Sequence, residues 1–340
     1  MLNITDFDYP FDPLLIAQYP LEKRDQSRLL VLDKINGKTA HRIFSDIGEF
    51  LSDGDILVLN NTRVFPCRVI GEKEETGGRV ELLLIKEAEG ENRWEVISNK
   101  KLKEGTIIRF SKTCRCEVTG KYGTNYIVKF HYTSDWKELL SNIGQMPLPP
   151  YIRRAPSAED RERYQTVYAS EDGAIAAPTA GLHFTDELLG NLNLKGIRTV
   201  YVTLHVGIGT FRPVKSEFID RHRMEHERFN VSKEVVELIR ETREKKGRVI
   251  AVGTTSVRAL EQAALTGDLR PAEGETGIFI YPGFKFKVVD AMITNFHLPK
   301  STLIMLVMAL AGRENILRAY DEAVLQRYRF YSYGDAMLII

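Results

Sequence analysis

The chain has 340 residues, of which 43% are hydrophobic, so it is long enough for two domains with buried cores. Its 47 Lys and Arg residues nearly balance its 46 Asp and Glu residues, and the net charge of +1 excludes a protein that binds nucleic acid or membranes through an overall basic surface. An acidic N-terminus without an apolar signal core predicts a cytoplasmic protein.

Short β-forming runs dominate the first part of the chain. Residues 27–33 and 55–60 predict two strands of a central sheet. From Val64 onward, six short runs separated by glycine-containing turns predict a small antiparallel barrel. These runs cover 64–70, 79–85, 94–98, 107–110, 116–119 and 126–130. The prolines within 146–150 then predict a stiff connector, because consecutive prolines exclude both a helix and a central strand.

Strands and helices alternate after this connector. Predicted helices cover 232–246, 253–265 and the apolar run 303–311, another begins at 185, and predicted strands cover 199–206, 249–252 and 288–293. Such alternation is typical of a layered α/β fold. We therefore predict an α/β large domain formed by 1–63 plus 147–340, with an inserted small antiparallel β-barrel domain at 64–146.

Three histidines lie in loops that directly follow β-forming runs or precede a helix, namely His183, His205 and His297. A histidine titrates near neutral pH and can take up or donate a proton. In an open α/β sheet, ligands bind outside the carboxyl ends of the strands. The three histidines are therefore candidate catalytic residues of one pocket, although a histidine taken alone is more often structural.

Hydroxyl, amide and glycine residues in the same loops are candidates for binding a polar ligand. They are Thr179, Gly207, Gly209, Thr210, Thr254, Thr255, Arg258 and Asn295. The Gly-x-Gly at 207–209 lacks the third glycine of a dinucleotide fingerprint, so a tight turn is an alternative interpretation. Residues 253–255 fit a helix N-cap, which is also a place where a carboxylate can bind.

Two groups of residues could contact RNA. Phosphate contacts are predicted for Arg153, Arg154, Arg161 and Arg163, and contacts to a flat base for Tyr331, Tyr333 and Asp335. The alternatives are an ordinary solvated face for the arginines and a C-terminal strand for 328–335. These residues predict an enzyme that acts on a polar, nucleotide-like substrate.

The sequence predicts no metal site and no disulfide. Cys67, Cys114 and Cys116 are odd in number and lack the second ligand pair of a zinc site, so we expect reduced cysteines on strands. Neither a His-x-x-x-His motif nor an acidic cluster with metal-ligand spacing occurs.

Eight motifs in a constant order resemble the S-adenosylmethionine:tRNA ribosyltransferase-isomerase family of queuosine biosynthesis. They cover 54–64, 147–152, 164–168, 176–185, 202–211, 251–258, 294–302 and 328–335.

One segment departs from the family. Residues 224–227 read Met-Glu-His-Glu where the family has Met-His-x-Glu, so no role can be transferred to position 225, and it stays open whether His226 substitutes for the missing histidine.

The resemblance implies the reaction as well as the fold. Members transfer the ribosyl part of S-adenosylmethionine to 7-aminomethyl-7-deazaguanine in the tRNA wobble position and isomerise it to an epoxycyclopentanediol, releasing adenine and methionine. The sulfonium acidifies the adjacent carbon, so a neutral base can start the rearrangement. The resemblance thus implies S-adenosylmethionine as cosubstrate, no metal, tRNA as partner and, we expect, a monomer.

Which histidine acts as the base is open, and we favour His183 because small residues surround it. Two other functions are considered. An S-adenosylmethionine-dependent RNA methyltransferase would release S-adenosylhomocysteine instead of adenine and methionine. A non-catalytic RNA-binding protein would not need His183, His205 or His297.

Overall fold

A computed structural model describes residues 2–211, 214 and 216–340. The strands are β1 (Arg28–Leu32), β2 (Thr39–Ile43), β3 (Ile56–Asn60), β4 (Thr62–Val64), β5 (Arg68–Lys73), β6 (Arg79–Glu87), β7 (Arg93–Ser98), β8 (Ile107–Arg109), β9 (Cys114–Tyr122), β10 (Asn125–Tyr132), β11 (Gly144–Gln145), β12 (Glu171–Ala174), β13 (Arg198–Leu204), β14 (Glu227–Val231), β15 (Val249–Val252), β16 (Ala272–Thr276), β17 (Ala291–Asn295) and β18 (Ala336–Ile339). The α-helices are α1 (Trp136–Ile143), α2 (Asp160–Arg163), α3 (Asp186–Leu194), α4 (Lys233–Glu244), α5 (Thr254–Ala263), α6 (Thr302–Ala311) and α7 (Arg313–Leu325).

Nine strands form one large sheet in the order β16-β14-β13-β3-β15-β17-β18-β1-β2. Its centre is parallel, because β13, β3, β15 and β17 run in the same direction. Alternate residues of β3 belong to different hydrophobic cores, with Val58 on one face and Leu57 on the other. A strand covered on both faces must be apolar throughout, which explains the continuous run at 56–59. The predicted layered α/β class is confirmed.

The parallel strands end at the same edge of this sheet. The register pairs Val202 of β13 with Asn60 of β3, and Val252 of β15 with Ile293 of β17. The loops after these strands therefore begin side by side. This edge is where an open α/β sheet binds ligands.

Six antiparallel strands form a closed barrel in the order β5-β6-β7-β10-β9-β8, which β5 and β8 close by pairing with each other. The predicted barrel is confirmed, but the first predicted strand, 64–70, is wrong in one respect. Pro66 lacks an N–H group, and the run divides into β4 and β5 around it. Cys67 consequently precedes a strand instead of lying on one, whereas Cys114 and Cys116 lie on β9. All three thiols are buried and free, and burial raises the pKa of Cys114 to about 11.

The described chain has two compact units. One comprises Met1–Arg63, Pro150–Arg154 and Arg163–Ile340, and the other comprises Val64–Pro149 and Ala155–Glu162. This division differs from the predicted boundaries, since 147–149 and 155–162 pack with the barrel. Within that unit, the Arg161 guanidinium donates hydrogen bonds to the carbonyls of Ser141 at 2.7 Å and Gly144 at 3.0 Å. These bonds hold 155–162 against the end of α1.

The described helices are shorter than a bilayer-spanning segment. Across 2–211, 214 and 216–340, none has both the length and the apolar character needed to cross a membrane. The apolar run at 303–311 forms the buried helix α6, as predicted.

Candidate active site

A cleft of about 750 Å³, open solvent included, lies at the carboxyl edge of the large sheet. Its walls come from three of the loops that the sequence singled out, at 176–180, 253–255 and 294–298. The lining also contains Tyr151, Ser301, Leu303, Tyr331 and Ser332. Four of the predicted ligand-binding residues therefore lie on one surface, namely Thr179, Thr254, Thr255 and Asn295.

Two helices point their N-termini at this cleft. Helix α5 begins at Thr254, directly after Gly253, whose φ of 88° lies in the left-handed region that favours glycine. Helix α6 begins after Ser301, whose hydroxyl accepts a hydrogen bond from the N–H of Ile304. Unpaired N–H groups and the helix dipole give each N-terminus a positive potential. The cleft is therefore suited to an anionic group such as a carboxylate.

Three buried polar atoms on the cleft wall have no hydrogen-bond partner in the described part of the protein. They are Thr255 Oγ1, Asn295 Oδ1 and Tyr331 Oη. The three residues are only 7%, 2% and 6% exposed. A buried polar group without a partner costs about 1–3 kcal/mol. Their convergence on one cleft points to a polar ligand.

His297 is the one of the three predicted catalytic histidines that lines the cleft. Its Nε2 lies 2.8 Å from Thr294 Oγ1, and that hydroxyl can donate to the carbonyl of Asn295 at 3.3 Å. The hydroxyl then accepts from Nε2–H, so Nδ1 keeps its lone pair. Burial lowers the pKa of His297 to about 3, so the imidazole is neutral at physiological pH.

Two tyrosines hold the main chain of His297. Tyr320 Oη accepts a hydrogen bond from the His297 N–H at 3.1 Å, and Tyr9 Oη donates one to its carbonyl oxygen. Both tyrosines are buried. The position of this imidazole is therefore determined by three side chains.

His183 lies beside the cleft but outside its lining. Its Nδ1 is 2.7 Å from Ser27 Oγ, and its Nε2 is 3.0 Å from Asn295 Nδ2. Since the Asn295 amide donates, Nε2 accepts and Nδ1–H donates to Ser27. The ring also stacks on Phe44, with centroids 5.0 Å apart. Both nitrogens of His183 therefore have protein partners, and burial together with Arg329 and Arg24 lowers its pKa to about 3.

His205 lies outside the cleft lining. Its Nδ1 is 2.8 Å from Thr62 Oγ1, and its ring fills the space beside Gly173, where a Cβ would lie 2.9 Å from it. Burial is the main reason for its lowered pKa, and Arg228 lowers it further. These contacts are typical of a structural residue that packs against its neighbours.

A buried ion pair connects two predicted ligand-binding residues, Arg258 and Gly207. The Arg258 guanidinium pairs with Glu227, both residues being about 5% exposed at their side chains, and Glu227 Oε1 accepts from the N–H of Gly207 at 2.8 Å. Arg258 Nη2 has no partner in the described part of the chain. Arg258, Gly207 and Gly209 lie outside the cleft lining, and the side chain of Thr210 lies outside the described residues.

Three of the four predicted phosphate-binding arginines bond to main-chain carbonyls. Arg161 binds its own unit as described above, Arg154 donates to the Gln18 carbonyl at 2.9 Å, and Arg163 donates to the carbonyls of Leu21 and Glu22. Arg153 is exposed, and its backbone N–H donates to the side chain of Gln18. The four do not form one cluster in a single unit, because Arg161 belongs to the barrel unit.

The C-terminal aromatic segment turns before the last strand. Tyr331 has a φ of 70° and packs on Tyr151 with ring centroids 4.5 Å apart, facing the cleft. Tyr333 packs edge-on against Tyr164. Asp335 is 1% exposed and accepts from the N–H groups of Arg28 and Arg329, while burial raises its pKa. The strand interpretation of 328–335 is wrong, because β18 begins at Ala336.

The departure at 224–227 lies away from the cleft. His226 is exposed, with Glu275 as its ionic neighbour at 3.8 Å and Gly277 beside its ring. Glu225 lies next to Gly209, where a Cβ would meet its side chain at 2.9 Å. His226 thus does not reach the lining of the cleft.

Sequence reasoning missed several residues of the cleft. Tyr151, Thr294 and Ser332 all line it. Tyr151 Oη lies 2.6 Å from Ser332 Oγ, across 181 residues of sequence. Tyr151 lies in a motif that the resemblance contained, but a pairing over this distance has no local signal.

In 2–211, 214 and 216–340, no group of three or more His, Cys, Asp or Glu residues could hold a metal ion.

A family model and a solved structure each match nearly the whole chain. Residues 4–339 match the family model described as "Queuosine biosynthesis protein". The structure is similar to the crystal structure of S-adenosylmethionine tRNA ribosyltransferase from Thermotoga maritima, with 39% sequence identity and a TM-score of 0.58. The match covers 98% of this chain and 100% of that one. The chain therefore belongs to the queuosine biosynthesis protein family.

Proposed function

We propose that the protein transfers and isomerises the ribosyl moiety of S-adenosylmethionine onto 7-aminomethyl-7-deazaguanine in the wobble position of tRNA. The products are epoxyqueuosine in the tRNA, adenine and methionine. The observation that carries this proposal is the family match over 4–339, which is supported by the similarity to a tRNA ribosyltransferase whose whole chain is covered.

The cleft is proposed as the site of S-adenosylmethionine. The N-terminus of α5 would receive the methionine carboxylate through its N–H groups, with Thr254 and Thr255 beside it. Thr179 and Asn295 would contact the polar edges of the nucleoside. Arg258 would act indirectly, because its partner Glu227 holds the main chain at Gly207.

His297 is proposed as the base, in preference to His183. The imidazole of His297 lines the cleft and has a lone pair on Nδ1, whereas both nitrogens of His183 are bonded. His205 has its Nδ1 bonded and lies outside the lining.

The low pKa of His297 is compatible with this role. Removing a proton from the carbon beside the sulfonium converts the cation to a neutral ylide and makes the imidazole cationic. The C–H bond breaks, an N–H bond forms, and the net charge in the cleft is unchanged. The desolvation that disfavours an isolated imidazolium is therefore offset by the loss of the substrate's own charge.

The partners are proposed to be a tRNA that carries the deazaguanine precursor, and S-adenosylmethionine, with no metal. The exposed Arg153 is proposed to meet a phosphate. Tyr331 would pack against a flat base at the cleft, and we expect a cytoplasmic monomer.

The test is an assay of the purified protein with precursor-bearing tRNA and S-adenosylmethionine labelled in the ribosyl moiety. Expected results are label in the tRNA and stoichiometric release of adenine and methionine. Release of S-adenosylhomocysteine would instead identify a methyltransferase. Binding of the tRNA with no consumption of S-adenosylmethionine would indicate an RNA-binding protein.

A further inference from the structure

A second, smaller pocket adjoins the cleft, and cationic side chains form part of its wall. It measures about 310 Å³, open solvent included, and its lining contains Arg24, Arg163 and His183. Among the described residues that line it there is no Asp or Glu. Ser332 lines both this pocket and the cleft. A group bound in the pocket would therefore lie next to a group bound in the cleft.

The guanidinium of Arg163 is oriented by neutral groups. It donates to the carbonyls of Leu21 and Glu22, which fix its direction without cancelling its charge. Its Nε atom is buried and has no partner in the described part of the protein. Arg24 lies on the same wall, with its Nη1 donating to the Gln165 carbonyl at 2.8 Å. The pocket wall thus carries two guanidinium groups, those of Arg24 and Arg163.

The charge of Arg24 also acts on His183, together with that of Arg329. Burial is the main reason for its lowered pKa, but the positive charges of Arg329 and Arg24 lower it further. With Arg24 and Arg163 in the lining and no carboxylate among the described lining residues, the pocket is suited to an anion.

An exposed aromatic residue lies next to the pocket along the chain. Tyr19 is 64% exposed and directly precedes Pro20 and Leu21, which line the pocket. The guanidinium of Arg154 lies over one face of its ring, 4.5 Å from the centroid. Proteins bind single-stranded RNA loops by combining phosphate contacts with stacking of bases on aromatic side chains. Both elements occur here, because Arg24 and Arg163 line the pocket and Tyr19 directly precedes two of its lining residues.

We propose that this pocket is a phosphate subsite for the RNA substrate. Arg163 and Arg24 receive a backbone phosphate, and Tyr19 stacks against a neighbouring base. The inference rests on the proposed function and deepens it, because it names the surface that receives the RNA backbone beside the cleft.

Leu21 offers a test that leaves the arginines intact. Leu21→Glu places a carboxylate at the pocket wall, and Leu21→Gln adds a similar shape without the charge. Tyr19→Ala removes the exposed ring, and Tyr122→Ala is its matched control, because Tyr122 is 68% exposed and lies in the barrel unit. Thermal unfolding of each variant shows whether the fold is kept.

The measurement is fluorescence anisotropy of an anticodon stem-loop RNA carrying the precursor base, over a series of salt concentrations. We expect Leu21→Glu to weaken RNA binding about tenfold relative to Leu21→Gln, and to lower the slope of log K against log salt by about 0.7, as for one lost phosphate contact. Tyr19→Ala should weaken binding about fivefold or more, as for one lost stacking contact, and Tyr122→Ala should not. Calorimetry should show unchanged affinity for S-adenosylmethionine.

If the two Leu21 variants bind RNA equally well while the parent protein converts the RNA, the phosphate subsite is overturned and the proposed function stands. Weaker S-adenosylmethionine binding in Leu21→Glu would also overturn it, since the pocket would then belong to the cosubstrate. A parent protein that binds no precursor-bearing RNA would overturn the proposed function and the subsite together.

Discussion

Thr294 Oγ1 lies 2.8 Å from His297 Nε2, at the end of β17 where the chain enters the cleft. When the hydroxyl donates its own proton to the Asn295 carbonyl, it accepts from Nε2–H, and Nδ1 is then the proton acceptor. Thr294 is therefore a positioning residue for the proposed base. It touches the reaction only through His297.

Replacing Thr294 by Val should slow the chemical step about fivefold, because one hydrogen bond of about 1 kcal/mol that fixes the tautomer is lost. Affinity for S-adenosylmethionine should change little. Single-turnover rates and calorimetry measure the two effects separately. Thr242→Val is the matched control, since the Thr242 hydroxyl is buried in α4 without a partner in the described chain. Equal rates for the two variants would argue against a positioning role.

His297→Gln should lower the single-turnover rate by about 10²–10⁴-fold with tRNA and S-adenosylmethionine saturating, as expected for loss of a general base. His183→Gln should reduce stability more than rate, because both of its nitrogens hold neighbouring side chains. A large loss of rate in His183→Gln together with a parent-like rate in His297→Gln would return the role of base to His183.

Stability should fall as the pH drops from about 6.5 towards 5. Burial lowers the pKa of His183 and His297 to about 3, so both stay neutral in the folded protein while the unfolded chain takes up protons. The unfolded state then binds more protons, and each histidine contributes a slope of up to about 1.4 kcal/mol per pH unit. Urea unfolding at several pH values measures this slope. The double variant His183→Gln/His297→Gln should flatten it, and an unchanged slope would contradict the prediction.

Thr255→Val should weaken S-adenosylmethionine binding by several-fold without lowering the melting temperature. The Thr255 hydroxyl has no partner in the described protein, so its removal affects only a ligand. Arg258→Met should instead destabilise the protein by about 3–5 kcal/mol, because it leaves Glu227 buried without its partner. Calorimetry and thermal unfolding distinguish the two. Parent-like affinity in Thr255→Val would refute the proposed cosubstrate site, and parent-like stability in Arg258→Met would contradict the role of the ion pair.

The sequence by itself determined the elements whose residues have a local signal. The apolar run of β3 and the alternating residues of β13 are buried wherever they pair, so their pattern identifies them as strands. The cap at Ser232 and the small-residue loop after Ile175 are likewise local. The strands β14 and β16 were missed, because their many charged and small residues resemble a solvated segment.

Only the tertiary structure decided which candidate residues meet. Asn295 binds His183 across 112 residues of sequence, and this contact occupies a nitrogen that the sequence left available for catalysis. Glu227, which lies in an unpredicted strand, takes up the charge of Arg258. The spacing of hydrophobic residues along a helix or strand indicates which of its faces is buried. The direction of a polar side chain depends instead on hydrogen-bond partners that folding brings from distant segments. His297 is therefore distinguished from His183 by packing alone.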